Sequence, residues 1–288
     1  MHLFFPLLAS ILFVIGLIFI KRAGACGIGP VTTLFAVNQC TMLAFLGLWF
    51  LGGTMQPWSM AWQPAIIAAL FIMGLAFTFL AIERGDVSIA APIFGVKVVF
   101  VALLLTQLST ERLPIAVWYA VILASLGIAL IQWTGTGRPR HVIMTISSAL
   151  AAAFSYALFD VLVQRWAPAW GAGRFLPIAF LFVGLFSLAM VPWVQWRKMI
   201  APSVRRNLFP GAVLIALQAI GIILTIAMFG DAARINVVYA LRGLWGVLIA
   251  WGVAKTFGGS EALLSPATML TRSAGAALLT VAVWLAIR

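Results

Sequence analysis

The sequence predicts an all-α integral membrane protein of ten transmembrane helices, arranged as two inverted five-helix repeats. Three observations lead there. Of the 288 residues, 64% are hydrophobic and 8% charged, a balance unlike that of a soluble domain. Apolar runs of about 20 residues, each long enough for roughly 30 Å of hydrocarbon, fill nearly the whole chain. A short pattern also recurs: Gly85-Asp86 followed by Lys97, and, 145 residues on, Gly230-Asp231 followed by Arg242.

Hydropathy and breakers divide the chain into spans at 3–20, 31–51, 64–82, 87–107 and 114–133, then 143–163, 175–195, 208–229, 235–254 and 267–287. Ala23-Gly24-Ala25 fits a small-x-small cleavage site, but Lys21 and Arg22 follow the first apolar run and no Lys or Arg precedes it. The first span is therefore expected to be a retained helix. Glycine and proline punctuate several loops, at Gly27 to Pro30, Gly52-Gly53, Gly135 to Pro139, Gly171 to Gly173 and Gly258-Gly259. Nothing is left over for a soluble domain. The chain divides into a first repeat, 1–137, and a second, 138–288, forming one transmembrane unit. A five-helix repeat is odd, so its second copy enters the membrane upside down, and such repeats build a midplane site where they meet. Glu111 finds its counterpart in Glu261, 150 residues on, which marks about five inserted residues.

Charge excludes several classes. The net charge of +12 is carried by bases scattered over short loops, with no run or stripe. Membrane lipids with acidic headgroups are the expected neighbours, not nucleic acid. Cys26 and Cys40 make no disulfide framework, and His2 and His141 lie too far apart in sequence to suggest a metal site. No P-loop, dinucleotide motif or cluster of carboxylates is present. No cofactor, no metal and no enzymatic activity are expected. Loops after odd-numbered spans carry roughly twice the Lys and Arg of the others, which puts both termini outside.

Lys97 and Arg242 carry the chemistry. Each is predicted several turns from either interface, where an unpaired charge costs roughly 2.5–3.5 kcal/mol on insertion scales. Such a base must face protein or a water-filled cavity. A clamp for an anion suits the pair, with Arg as a planar fork and Lys as a point charge. The alternative is a structural ion pair with Asp160, although one acid cannot neutralise two bases. Asp160 is also the proton-coupling candidate, or else a solvated residue near the end of the sixth span. Tyr239, three residues before Arg242, shares its helical face and could bond the same ligand. Asn38 and Gln218 are polar at membrane depth and either line the cavity or join helices. Gln39 points about 100° from Asn38, so one cavity does not take both. Trp245 is the one tryptophan placed to touch a ligand; Trp49, Trp58, Trp62, Trp193 and Trp196 read as an interfacial belt. Pro92, five residues before Lys97, is the hinge candidate. Asp86 and Asp231 could cap the helices that follow them.

Ala90-Ala91-Pro92, Thr110-Glu111-Arg112-Leu113-Pro114 and Gly127, with Gly259-Ser260-Glu261 and Gly275 in the second half, resemble the EamA-type repeat of the drug/metabolite transporter superfamily. The resemblance implies a ten-helix secondary carrier with both termini inside, against the charge bias, and fixes no substrate. Plastid sugar-phosphate translocators of that superfamily hold phosphate with a Lys on the fourth helix and a Lys-Arg pair on the ninth. Lys97 matches the first and Arg242 is similar to the Arg of the pair, while Leu241 stands where the second Lys would be. One cation fewer favours a carboxylate or phosphodiester over a dianionic phosphate. The first span lacks the Glu on which related small multidrug exporters rely.

The expectation is a secondary active transporter in the cell membrane (the inner membrane in a Gram-negative cell). It moves a small organic anion or zwitterion, such as an amino acid, carboxylate or phosphorylated metabolite, by alternating access, with protons as a candidate coupling ion. The alternatives are a flippase for a lipid-linked phosphate or sugar and, less favoured, a membrane-embedded lipid transferase.

Overall fold

The computed structural model describes residues 2–83, 90, 93–108, 113–132, 142–246, 248 and 266–287. Among them the secondary structure is helical, without strands. In chain order the helices are α1 (Phe4–Ala25), α2 (Pro30–Leu46), α3 (Trp62–Glu83), α4 (Lys97–Leu108), α5 (Ile115–Gln132), α6 (Val142–Trp170), α7 (Ala172–Ser187), α8 (Pro202–Phe229), α9 (Ala232–Tyr239) and α10 (Pro266–Ile287). α2 and α7 each run on into a tighter 3-10 segment, Gly47–Leu51 and Leu188–Trp193, and a five-residue helix, Trp196–Ile200, precedes α8.

Seven helical stretches are long and apolar enough to cross a membrane, and the apolar helices Lys97–Leu108 and Ile115–Ile131 are shorter. Only 22% to 50% of each long stretch is buried, so most of the apolar surface faces outward. Phe50, Ile143 and Trp58 are more than four-fifths exposed, as lipid allows and water penalises. The chain is an all-helical, multi-pass membrane protein.

Two compact units are formed, each from two stretches of chain: Met1–Ile72 with Leu162–Gly230, and Met73–Val161 with Asp231–Arg288. In the first unit α1 packs on α8, and α2 packs on both α7 and α8. α1 meets α8 at Gly16 and Gly211, where an added Cβ would lie 3.0–3.2 Å from Ile215, Leu214, Phe19 and Ile20. The absent side chains let the backbones approach. α2 and α7 are joined by polar bonds. The Asn38 amide donates to Ser187 Oγ at 2.8 Å, and the Gln39 amide donates to the Gly184 carbonyl at 3.1 Å.

In the second unit α5 packs on α10, and α9 touches α4, α5 and α10. The α5–α10 crossing is closest at Gly127 and Gly275. A Cβ on Gly127 would stand 2.8 Å from the Gly275 carbonyl oxygen, and one on Gly275 would stand 2.6 Å from that of Gly127. Each glycine thus makes room for the other's backbone.

α6 runs seven residues beyond its expected end at Val163, to Trp170. Gln164 and Arg165 are tolerated because a helix outlasts its apolar stretch, and Pro168 falls within its last turn. Asp160 therefore lies inside a helix and is 2% exposed, not at a solvated end. α8 stops at Gly230, whose φ of +63° is left-handed and whose N–H bonds the Ile226 carbonyl at 3.0 Å. Asp231 follows as the first residue before α9, but its side chain makes no capping bond and lies 3.5 Å from Arg234. Asp86 lies outside the described residues.

Candidate functional site

Lys97 and Arg242 do not sit in the middle of continuous helices. Ile93 and Phe94 are helical, Gly95 and Val96 form a turn, and α4 begins at Lys97. Likewise α9 ends at Tyr239, Ala240 and Leu241 form a turn, and helix resumes at Arg242. The backbone bonds at the two breaks correspond one for one, 145 residues apart. Val96 N–H bonds the Ile93 carbonyl at 2.9 Å, as Leu241 N–H bonds that of Val238 at 3.1 Å. Val98 bonds Gly95 at 3.3 Å, as Gly243 bonds Ala240 at 3.1 Å. Phe100 then bonds Val96 at 3.1 Å, and Trp245 bonds Leu241 at 3.0 Å. The first two bonds of each set span three residues, the 3-10 spacing, and the third returns to the α spacing. Each base is thus the first residue after a tightened turn.

The two bases line one small cavity of about 30 Å³, together with Gly95, Asn236, Tyr239 and Gly243. It has room for a water or two and is far below the ~300 Å³ at which metabolite sites begin. The Lys97 ammonium lies 2.7 Å from Asp160 Oδ2, with side-chain exposures of 15% and 3%. The Asn236 amide donates to the same Oδ2 at 2.7 Å and to the Ala232 carbonyl at 2.9 Å. Asp160 is therefore the ion-pair partner of Lys97, held by a charge and an amide on one oxygen. The arrangement balances the acid, because a buried carboxylate is tolerated only with a partner and hydrogen bonds. The Arg242 guanidinium carbon lies 4.6 Å from the centre of the Tyr239 ring, and Tyr239 is 6% exposed. The two meet across the break by a cation–π contact, not as neighbours on an unbroken helix face.

The other expected site residues divide. Trp245 follows the second break but does not line the cavity. Asn38 and Gln218 belong to the other compact unit. The Asn38 amide bonds α7, which is the helix-joining arrangement, and Gln218 is 8% exposed. Pro92, the hinge candidate, lies outside the described residues.

Two members of the site were missed. Tyr156 lies one turn before Asp160, and the Lys97 ammonium stands 5.8 Å from its ring centre. Its ring fills the space left by Gly74 on α3, where a Cβ would come within 2.8 Å of it. Its four-residue spacing from Asp160 was the available signal. Asn236 shares its eight-residue helix with Arg234 and Tyr239, and nothing in that stretch sets it apart.

No protein-family model matches the chain, and no curated protein matches it. Among solved structures, one described only as a crystal structure of a protein superposes with a TM-score of 0.70. It is 15% identical and covers 99% of this chain and 98% of its own. The chain shares its fold, end to end, with that structure.

Proposed function

We propose that the chain is a secondary active transporter of the drug/metabolite transporter type. In this reading ten helices form two inverted five-helix repeats that move a small organic anion or zwitterion by alternating access. The matched pair of helix breaks, each followed at once by a base that lines the same cavity, carries the proposal. Broken helices at membrane depth expose backbone groups that only protein or an aqueous cavity can satisfy, and transporters use them to hold substrate. Two further contacts favour internal two-fold symmetry, since residues near such an axis meet their own counterparts. Gln39 bonds Gly184, 145 residues on, and Gly127 crosses Gly275, 148 residues on.

Lys97 and Arg242 hold the anionic group, and Tyr239 and Asn236 orient it. A cavity of about 30 Å³ is too small for such a substrate, so binding requires the breaks to open. Asp160 supplies the coupling. An anion that draws Lys97 away leaves a buried carboxylate without its cation, which costs several kcal/mol unless the carboxylate takes a proton. The charged and titratable groups around it are Lys97, Tyr156, Tyr239 and Arg242. Anion and proton then enter the site together. Binding should take up about one proton per anion in the wild type and none in Asp160→Asn, read as a pH change in weakly buffered detergent solution.

The test is thermal unfolding of purified protein against acetate, phosphate esters, amino acids, lipid phosphates and organic cations. A ligand at 100 times its Kd stabilises by about 2.7 kcal/mol. Anions should stabilise the wild type and leave Arg242→Gln unmoved. Stabilisation by cations alone, or equal anion shifts in wild type and Arg242→Gln, contradicts the reading.

A further inference from the structure

The chain's acidic residues are Glu83, Asp86, Glu111, Asp160, Asp231 and Glu261. The unit made of Met1–Ile72 and Leu162–Gly230 has none, and most of its bases gather at one end. There α1 finishes and α8 starts. Ala23, Ile28, Val204 and Leu208 form one buried cluster, with Ile20 and Met199 packed against it. Around that cluster stand Lys21, Arg22, Arg197, Lys198, Arg205 and Arg206, all exposed. The Lys198 ammonium donates to the Gly27 carbonyl at 3.1 Å, which ties the helix Trp196–Ile200 to the loop after α1. Bases that look scattered along the sequence are thus collected by the fold. Among the described residues none of the six is in an ion pair, and like charges gathered in this way attract an anion.

The neighbouring side chains say what kind of anion that is. Trp193, Trp196, Ile200 and Phe209 are 68%, 47%, 63% and 46% exposed. Tryptophan beside bases at the end of apolar helices marks the boundary between hydrocarbon and headgroup. Along α8, Arg205, Phe209 and Val213 follow at four-residue steps, all exposed, and so share a face. A phosphate bound at Arg205 therefore has its acyl chain alongside Phe209 and Val213. A soluble polyanion makes no use of that apolar stripe.

We infer that this end of the first unit is a binding surface for acidic glycerophospholipid, with the headgroup phosphate on the α8 arginines and the acyl chain along Phe209 and Val213. The inference does not depend on transport.

Protein purified in non-ionic detergent is titrated with phosphatidylglycerol, with phosphatidylcholine of the same acyl chains, and with glycerol 3-phosphate. Binding is read by native mass spectrometry and by the shift in Tm. The wild type should prefer phosphatidylglycerol to phosphatidylcholine, more weakly as salt rises. Arg205→Gln/Arg206→Gln should lose about thirty-fold in phosphatidylglycerol affinity, from two bases at roughly 1 kcal/mol each. Arg205→Lys/Arg206→Lys should retain it, which separates charge from a folding defect. Equal binding of the two lipids, an undiminished preference in the Gln variant, or glycerol 3-phosphate binding as tightly as the lipid each overturns the inference.

Discussion

Removing the ammonium of Lys97 leaves the Asp160 carboxylate 3% exposed and without its only ion-pair partner among the described residues. Breaking a buried pair in this way costs about 3–5 kcal/mol, whereas replacing both partners is often near neutral. Lys97→Gln should therefore lower Tm in detergent, and Lys97→Gln/Asp160→Asn should recover most of the loss. A double variant as unstable as the single one would mean that the pair is not what holds the carboxylate. At this scale the sequence was informative where a charge interrupts an apolar run. Lys97, Arg242 and Asp160 stood out because burial makes each of them expensive. Tyr156 and Asn236 did not, since an aromatic or an amide at membrane depth is ordinary. Only the approach of α6 to α4 and α9 shows what they touch.

The two breaks belong to the scale of the element. Gly95 weakens a helix by about 1 kcal/mol relative to Ala, but Val96 and Ala240-Leu241 are ordinary helical residues, so hydropathy runs straight through both. The tightened turns rest on backbone bonds that composition does not encode. The helix ends were more legible. Gly230 at α8 and Pro30 at α2 stand where a left-handed cap and a first-turn proline belong. The α5–α10 crossing gives a direct test. Gly127→Ala places a Cβ against the Gly275 carbonyl, and forcing atoms into such a contact costs typically about 1–3 kcal/mol. Gly24→Ala, with nothing within 4 Å, should leave stability unchanged or raise it by up to about 1 kcal/mol. Equal melting temperatures for the two variants would show that α5 and α10 do not cross so closely.

For the whole molecule, hydropathy is enough to read a helical membrane chain, because in lipid every backbone group must be paired within the segment. The side of the membrane with the excess of bases was legible, but their gathering into one patch was not, since it depends on α1 ending beside the start of α8. That gathering also predicts orientation. By the positive-inside rule the end carrying Lys21, Arg22, Arg205 and Arg206 faces the cytoplasm. Cys26 is exposed at that end. In a Cys40→Ser background a membrane-impermeant maleimide should label Cys26 in inside-out vesicles and not in intact cells; the reverse pattern would place this end outside. The central claim, that two repeat-related bases clamp a transported anion, is met most directly by counterflow in proteoliposomes. Labelled acetate, a phosphate monoester and an amino acid are each tested against an unlabelled interior pool. The wild type should accumulate at least one of these labels, with Arg242→Gln falling to the level of empty liposomes and Arg242→Lys lying between. No accumulation of any of them by the wild type, or accumulation by Arg242→Gln at the wild-type rate, would contradict the account.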